Sequence, residues 1–89
     1  MTDRAERVRE RLTSEFAPLE LRVHDESHLH AGHAGAADGA SHFRIRIVAP
    51  AFRGLAPLAR HRLVYAALAD LMKSEIHALA IEALPPPAD

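Results

Sequence analysis

Ala5, Val8, Leu12 and Phe16 recur at steps of three, four and four in an otherwise charged segment. That spacing places them on one face and predicts an amphipathic helix. Thr2 or Asp3 can cap its start, and Asp3 and Glu6 have capping-box spacing. Pro18 ends it. Leu19, Leu21 and Val23 then alternate with Glu20, Arg22 and His24, the period-two pattern of a half-buried strand. Over residues 25–41 the pattern vanishes into Gly, Ala, His and Asp. It returns as Phe43, Ile45 and Ile47 alternating with His42, Arg44 and Arg46, a second strand that Pro50 stops.

Phe52, Arg53 and Gly54 read as a turn, and Pro57 suits the first turn of a helix. Pro57, His61, Val64, Leu68 and Leu71 track one face of that helix, widened by Ala67 and Met72, and it fades near Lys73 and Ser74. Ile76 to Leu84 predicts a third strand, with His77, Leu79, Ile81 and Ala83 on one face and Ala78, Ala80 and Glu82 on the other. Pro85, Pro86 and Pro87 end it. The order is α-β-β-α-β. A right-handed crossover would lay the third strand parallel to the second. The expected fold is α+β, a three-stranded mixed sheet with both helices on one face. Residues 1–84 form one domain, residues 24–42 a long loop between the first two strands, and residues 85–89 a proline-rich tail. Hairpin loops usually span about 2–5 residues, so a connection of this length is a functional or a disordered one.

Composition narrows the chemistry. The chain has 89 residues, enough for one small core and no second domain. It has seven His and no Cys, so no disulfide and no catalytic thiol can come from it alone. With 11 basic and 12 acidic residues the formal charge is −1, which argues against a generic polyanion binder. Imidazole titrates near neutrality, so the charge swings positive on mild acidification. The N-terminus is charged and lacks an apolar signal region, and the longest apolar run, Leu63 to Ala69, falls far short of the roughly 18 residues of a membrane span. A cytoplasmic location away from any membrane is the expectation.

Three places could carry chemistry. His24, His28, His30 and His33 fall within ten residues beside Asp25 and Glu26, and imidazole is a common ligand for borderline metals. Their spacing matches no familiar zinc signature, so a solvated polar loop is the alternative reading. His77 sits in an apolar strand, where a lone histidine is more often a hydrogen-bonded structural residue than a ligand. Arg60, His61 and Arg62, with Arg53 and Lys73, form a basic cluster that could meet phosphates, or simply a solvated helix face. An enzyme is not expected. The serines lack a nucleophile elbow, and no glycine pattern reads as a P-loop or dinucleotide fingerprint.

Taken in order, these segments resemble the BolA family. The matching runs are Val23-His24-Asp25-Glu26-Ser27, Ser41-His42-Phe43-Arg44-Ile45, Phe52-Arg53-Gly54, Arg60-His61-Arg62-Leu63-Val64-Tyr65 and Ile76-His77-Ala78-Leu79-Ala80, in family order, and the resemblance covers roughly residues 5–84. The resemblance implies a core similar to type II KH domains. It also implies a monothiol glutaredoxin as partner and a [2Fe–2S] cluster shared with it, in iron–sulfur trafficking or iron regulation. On that resemblance one ligand is His77 and the other lies in the long loop at His30, with His33 and His28 as neighbouring alternatives. The thiolates would come from the glutaredoxin cysteine and its bound glutathione. Two histidines can hold one iron of a cluster whose other iron is held by thiolates, as Rieske centres do. Without its partner the chain is expected to form a homodimer. His24, His42 and His61 are expected to be structural or surface residues.

Some BolA proteins are DNA-binding transcriptional regulators, and that is the alternative function. KH domains use a Gly-x-x-Gly loop; the comparable turn here, Gly54-Leu55-Ala56-Pro57, lacks the second glycine. Arg53, Arg60, Arg62 and Lys73 are the residues that would carry nucleic-acid binding through the second helix and its preceding turn.

Overall fold

The structure is a computed structural model that describes residues 4–26, 42–74, 76 and 78–87. Its elements are α1 (Arg4–Phe16), β1 (Glu20–Asp25), β2 (His42–Val48), a 3-10 turn (Pro50–Phe52), α2 (Pro57–Ala67), α3 (Ala69–Ser74) and β3 (Ala78–Leu84). The strands form one sheet in the order β1-β2-β3. β1 pairs antiparallel with β2, Glu20 opposite Val48 through Asp25 opposite Phe43. β3 pairs parallel with β2, His42 opposite Ala78 through Val48 opposite Leu84. The expected α+β mixed sheet is therefore present.

The core follows from the period-two pattern of the central strand. Phe43, Ile45 and Ile47 are buried, and they meet Val8 and Leu12 from α1 and Val64 and Leu68 from α2. Both helices thus cover the same sheet face. Phe16 packs its ring against Phe52, centroids 5.2 Å apart, and Phe52 is wholly buried. The sequence placed Phe52 only in a turn. The 3-10 turn is what aims it inward, and Gly54 follows with φ +75°, a left-handed conformation that any side chain would strain. Pro86, beyond β3, is also buried.

Four sequence expectations need correction. Leu19 lies outside β1 and is 69% exposed, because its N–H is drawn to Val48 O at 2.8 Å while Glu20 already faces Val48. Pro57 is exposed rather than part of the buried face, since it opens α2 beyond the sheet-facing turn. The second helix is divided at Leu68, where ψ swings to 7° and the N–H is shared between Val64 O and Tyr65 O. Arg11 from α1 takes the Ala67 carbonyl at this bend, 2.8 Å away. A side chain that occupies a helical carbonyl is a usual source of such a bend. The third strand starts at Ala78 rather than Ile76. Ile76 is buried, and its N–H closes the end of α3 on Leu71 O at 3.1 Å. The proposed caps Thr2 and Asp3 lie outside the described residues.

The same Arg11 makes a two-pronged ion pair with Asp70, at 2.5 and 2.9 Å, which fastens α1 to α3. The Arg11 hydrogen bond lowers the Asp70 carboxyl to about 2. The folded form thus binds the proton less readily than the unfolded chain. The pair's contribution is complete above the ordinary carboxylate range and is lost as pH falls towards 2. An Asp70→Asn variant is expected to melt below wild type at neutral pH. The two melting temperatures should converge as pH falls from about 4, and a constant difference would contradict the pairing. In the core, Leu12→Ala should cost about 2–5 kcal/mol in urea unfolding. Leu58→Ala, at a residue 60% exposed, should change stability by no more than about 0.5 kcal/mol.

Candidate functional site

The sheet has two ends and one open face, and the sequence candidates divide among them. The long loop leaves β1 at Glu26 and re-enters at His42, and these two residues are joined where Glu26 N–H donates to His42 O at 2.7 Å. On its other side His42 faces Ala78. One end of the sheet thus gathers the base of the loop and the start of β3. A groove of about 410 Å³ lies there, lined by Glu26, His42, Phe43, Arg44, Ala78, Leu79 and Ala80. Arg44 Nε donates to Glu26 Oε2 at 3.1 Å beside it. His28, His30, His33 and His77 lie outside the described residues.

Among the described residues no group of three or more His, Asp or Glu side chains could hold a metal ion. With no Cys in the chain, its strongest metal donors are imidazoles. That donor set fits a half-site, two neutral nitrogens on one iron, and does not fit a self-contained all-thiolate cluster.

The remaining histidines are accounted for locally. His24 is exposed on β1. His61 is half-buried and stacks on Tyr65, ring centroids 4.8 Å apart, beside a smaller groove of about 290 Å³ between α2 and β3. His42 is half-buried at the sheet end already described.

The basic cluster separates. Arg53, Arg62 and Lys73 are exposed. Arg60 is half-buried, and its guanidinium donates to Leu55 O and Ala83 O, both at 2.9 Å. It ties the turn before α2 to β3, so two of its five N–H donors are engaged inside the fold. The sequence offered no signal for this clamp, because Ala83 lies 23 positions away.

The open face of the sheet was not singled out in the sequence. Even-numbered residues point there: Arg22 and His24 from β1, Arg44 and Arg46 from β2, Ala80 and Glu82 from β3, around a shallow groove of about 450 Å³. Arg46 bridges the outer strands, with Nε to Glu20 at 2.5 Å and Nη1 to Glu82 at 2.6 Å. These hydrogen bonds raise its already high proton affinity. Arg44 is thus met by Glu26 and Arg46 by both Glu20 and Glu82, while Arg22 stands 3.8 Å from Glu20. The face is largely self-neutralised and is a poor platform for phosphate. Alternating charges in the sequence hint at such cross-strand pairing, but only the register reveals it. No helix among the described residues is long and apolar enough to cross a membrane.

Comparison with known proteins agrees with this architecture. The family model described as BolA-like protein matches residues 12–87. The chain is 50% identical over 88 residues to SufE-like protein 1, chloroplastic/mitochondrial, of Arabidopsis thaliana, covering 93% of this chain and 24% of that protein. It is 45% identical over 74 residues to the DNA-binding transcriptional regulator BolA of Vibrio cholerae, covering 83% of this chain and 67% of that protein. Among solved structures, the BolA domain of SufE1 from Arabidopsis thaliana superposes with a TM-score of 0.85 at 48% identity, covering 97% of this chain and 95% of that one. The chain spans from about a quarter to about half the length of the first curated relatives it matches. Because Arg60 closes the turn onto β3, Arg60→Ala is expected to lower the melting temperature, whereas Arg62→Ala, at an exposed position, should leave it within error. Equal effects would mean that Arg60 is not a clamp. The family match spanning most of the chain and the shared mixed sheet place this chain in the BolA family.

Proposed function

We propose that this chain is a non-enzymatic adaptor that binds a monothiol glutaredoxin and shares a [2Fe–2S] cluster with it. Its output would be iron–sulfur trafficking or iron regulation. One observation carries the reading: the loop base at Glu26 and His42 is hydrogen-bonded together, and His42 is paired with Ala78, the residue after His77. The described residues that flank the long loop and position 77 therefore lie at the same end of the sheet. Family membership and a donor set that holds imidazoles but no thiolate support it.

In this reading His77 and His30 hold one iron, with His33 and His28 as the alternatives in the loop. The glutaredoxin cysteine and glutathione hold the other. When bound, such a cluster supplies a redox-active and transferable iron–sulfur unit. Neutral imidazoles in place of thiolates raise its reduction potential. Protons compete for free imidazole, so assembly weakens as pH falls through the histidine range, about 6.5. The expected compartment is the cytoplasm, although a close relative carries an organellar name.

A second reading is DNA binding in transcriptional regulation. It is favoured by the printed name of the Vibrio cholerae relative and by the exposed Arg53, Arg62 and Lys73. Phosphate contacts require affinity to fall steeply with salt.

The cluster reading is tested by titrating cluster-loaded glutaredoxin with the chain while following visible absorption and circular dichroism. Wild type should change both spectra. His77→Ala should abolish the change, and only one of His30→Ala, His33→Ala and His28→Ala should do the same. A His77→Ala spectrum identical to wild type contradicts the assignment. For DNA, binding at low salt whose salt slope falls by about one on Arg62→Ala would support the second reading, and no binding at low salt would eliminate it.

A further inference from the structure

The two outer strands of the sheet are treated differently. On β3, Leu84 O accepts from Ala49 on the β2 side at 3.1 Å, so alternation turns the carbonyls of Leu79 and Ala83 outward. Both are covered from α2, Ala83 O by Arg60 at 2.9 Å and Leu79 O by the Tyr65 hydroxyl at 3.5 Å. β1 has β2 on one side and no described strand on the other. Glu26 donates to His42, and His24 and Arg22 face Arg44 and Arg46. Even-numbered residues of β1 thus turn their backbone toward β2, and Leu21 and Val23 turn theirs outward.

The side chains along this outer edge are complementary to themselves. Glu20 and Arg22 share the open face, two residues apart. Arg22 is exposed and stands 3.8 Å from Glu20 of its own chain. We infer that the outer edge of β1 binds a second copy of this chain, antiparallel about a two-fold axis at Leu21, to make a continuous six-stranded sheet. This operator sets Leu21 opposite Leu21 of the second copy as a hydrogen-bonded pair. It sets Glu20 opposite Arg22 of the second copy, twice by symmetry.

Charge selects this register over its neighbours. An axis at Arg22 sets two arginines face to face, and an axis at Val23 sets Glu20 against Glu26 of the second copy. Like charges directly opposite destabilise a strand pair. The exposed Leu19, at the end of the same edge, becomes flanked by the second copy's strand. Its N–H is already given to Val48, so the new ladder is short. A short ladder buries little area and gives a weak dimer. The pairing uses no histidine, so it stands or falls separately from the cluster.

Sedimentation velocity from low micromolar to near-millimolar chain concentration tests it. Wild type should shift from monomer to dimer as concentration rises. Arg22→Glu alone and Glu20→Arg alone should each weaken the dimer by at least about tenfold, because each sets like charges opposite one another. An equimolar mixture of the two should associate again, since opposite charges then face across the axis. Far-UV circular dichroism verifies folding. If Glu20→Arg unfolds through loss of its Arg46 contact, Arg22→Glu, at an exposed position, carries the test alone. A wild type that stays monomeric overturns the inference, as does a dimer that Arg22→Glu leaves intact, or two folded variants that fail to associate when mixed.

Discussion

The parallel pairing of β3 with β2 is the constraint on which the rest of the structure depends. A parallel neighbour cannot be reached by a tight turn, so the chain must travel from the Val48 end of the sheet back to the His42 end. That journey is made by the 3-10 turn, α2 and α3, and it lays Val64, Leu68 and Leu71 over Phe43, Ile45 and Ile47. The same connection that builds the core returns the chain at Ala78, beside His42 and the base of the long loop. Core and candidate site are two consequences of one topological requirement. An antiparallel third strand would have carried the residue before it to the opposite end of the sheet.

Much of the arginine content serves this framework. Arg11 braces the bend after α2 by holding both Ala67 O and Asp70. Arg46 joins all three strands through Glu20 and Glu82, and Arg60 fixes the turn before α2 to β3. A thin aliphatic core with few aromatics gains orientation from these struts more than free energy, since exposed ion pairs are individually weak. Guanidinium groups engaged in this way have fewer donors to offer a phosphate backbone. This weighs against nucleic-acid binding by the sheet face and leaves Arg53, Arg62 and Lys73 as its cationic contacts.

The elements were legible in the sequence because each has a clean hydrophobic period. The stripe Ala5, Val8, Leu12 and Phe16 and the alternation through Phe43, Ile45 and Ile47 specify helix and strand almost without ambiguity. Errors gathered where a long-range contact overrides local pattern. Leu19 continues an alternation but is displaced when Val48 takes its N–H. Ile76 reads as a strand residue but ends α3 instead. Leu68 lies in a continuous helical pattern that bends where Arg11, far away in sequence, takes a carbonyl. Phe52 looks like a turn residue until the turn is seen to aim it at Phe16. The basic cluster was legible as charge, yet Arg60's partners come from tertiary structure. For the candidate site, residue identity came from resemblance, and the shared sheet end came only from strand register.

On the proposed function, two imidazoles of this chain ligate a cluster held jointly with a glutaredoxin. The most direct measurement is pulsed electron paramagnetic resonance on the reduced complex, assembled from nitrogen-15 histidine-labelled chain and unlabelled glutaredoxin. Strong couplings are expected from two labelled imidazole nitrogens at the cluster, one of which disappears in His77→Ala. A reduced cluster with no strongly coupled labelled nitrogen would contradict it.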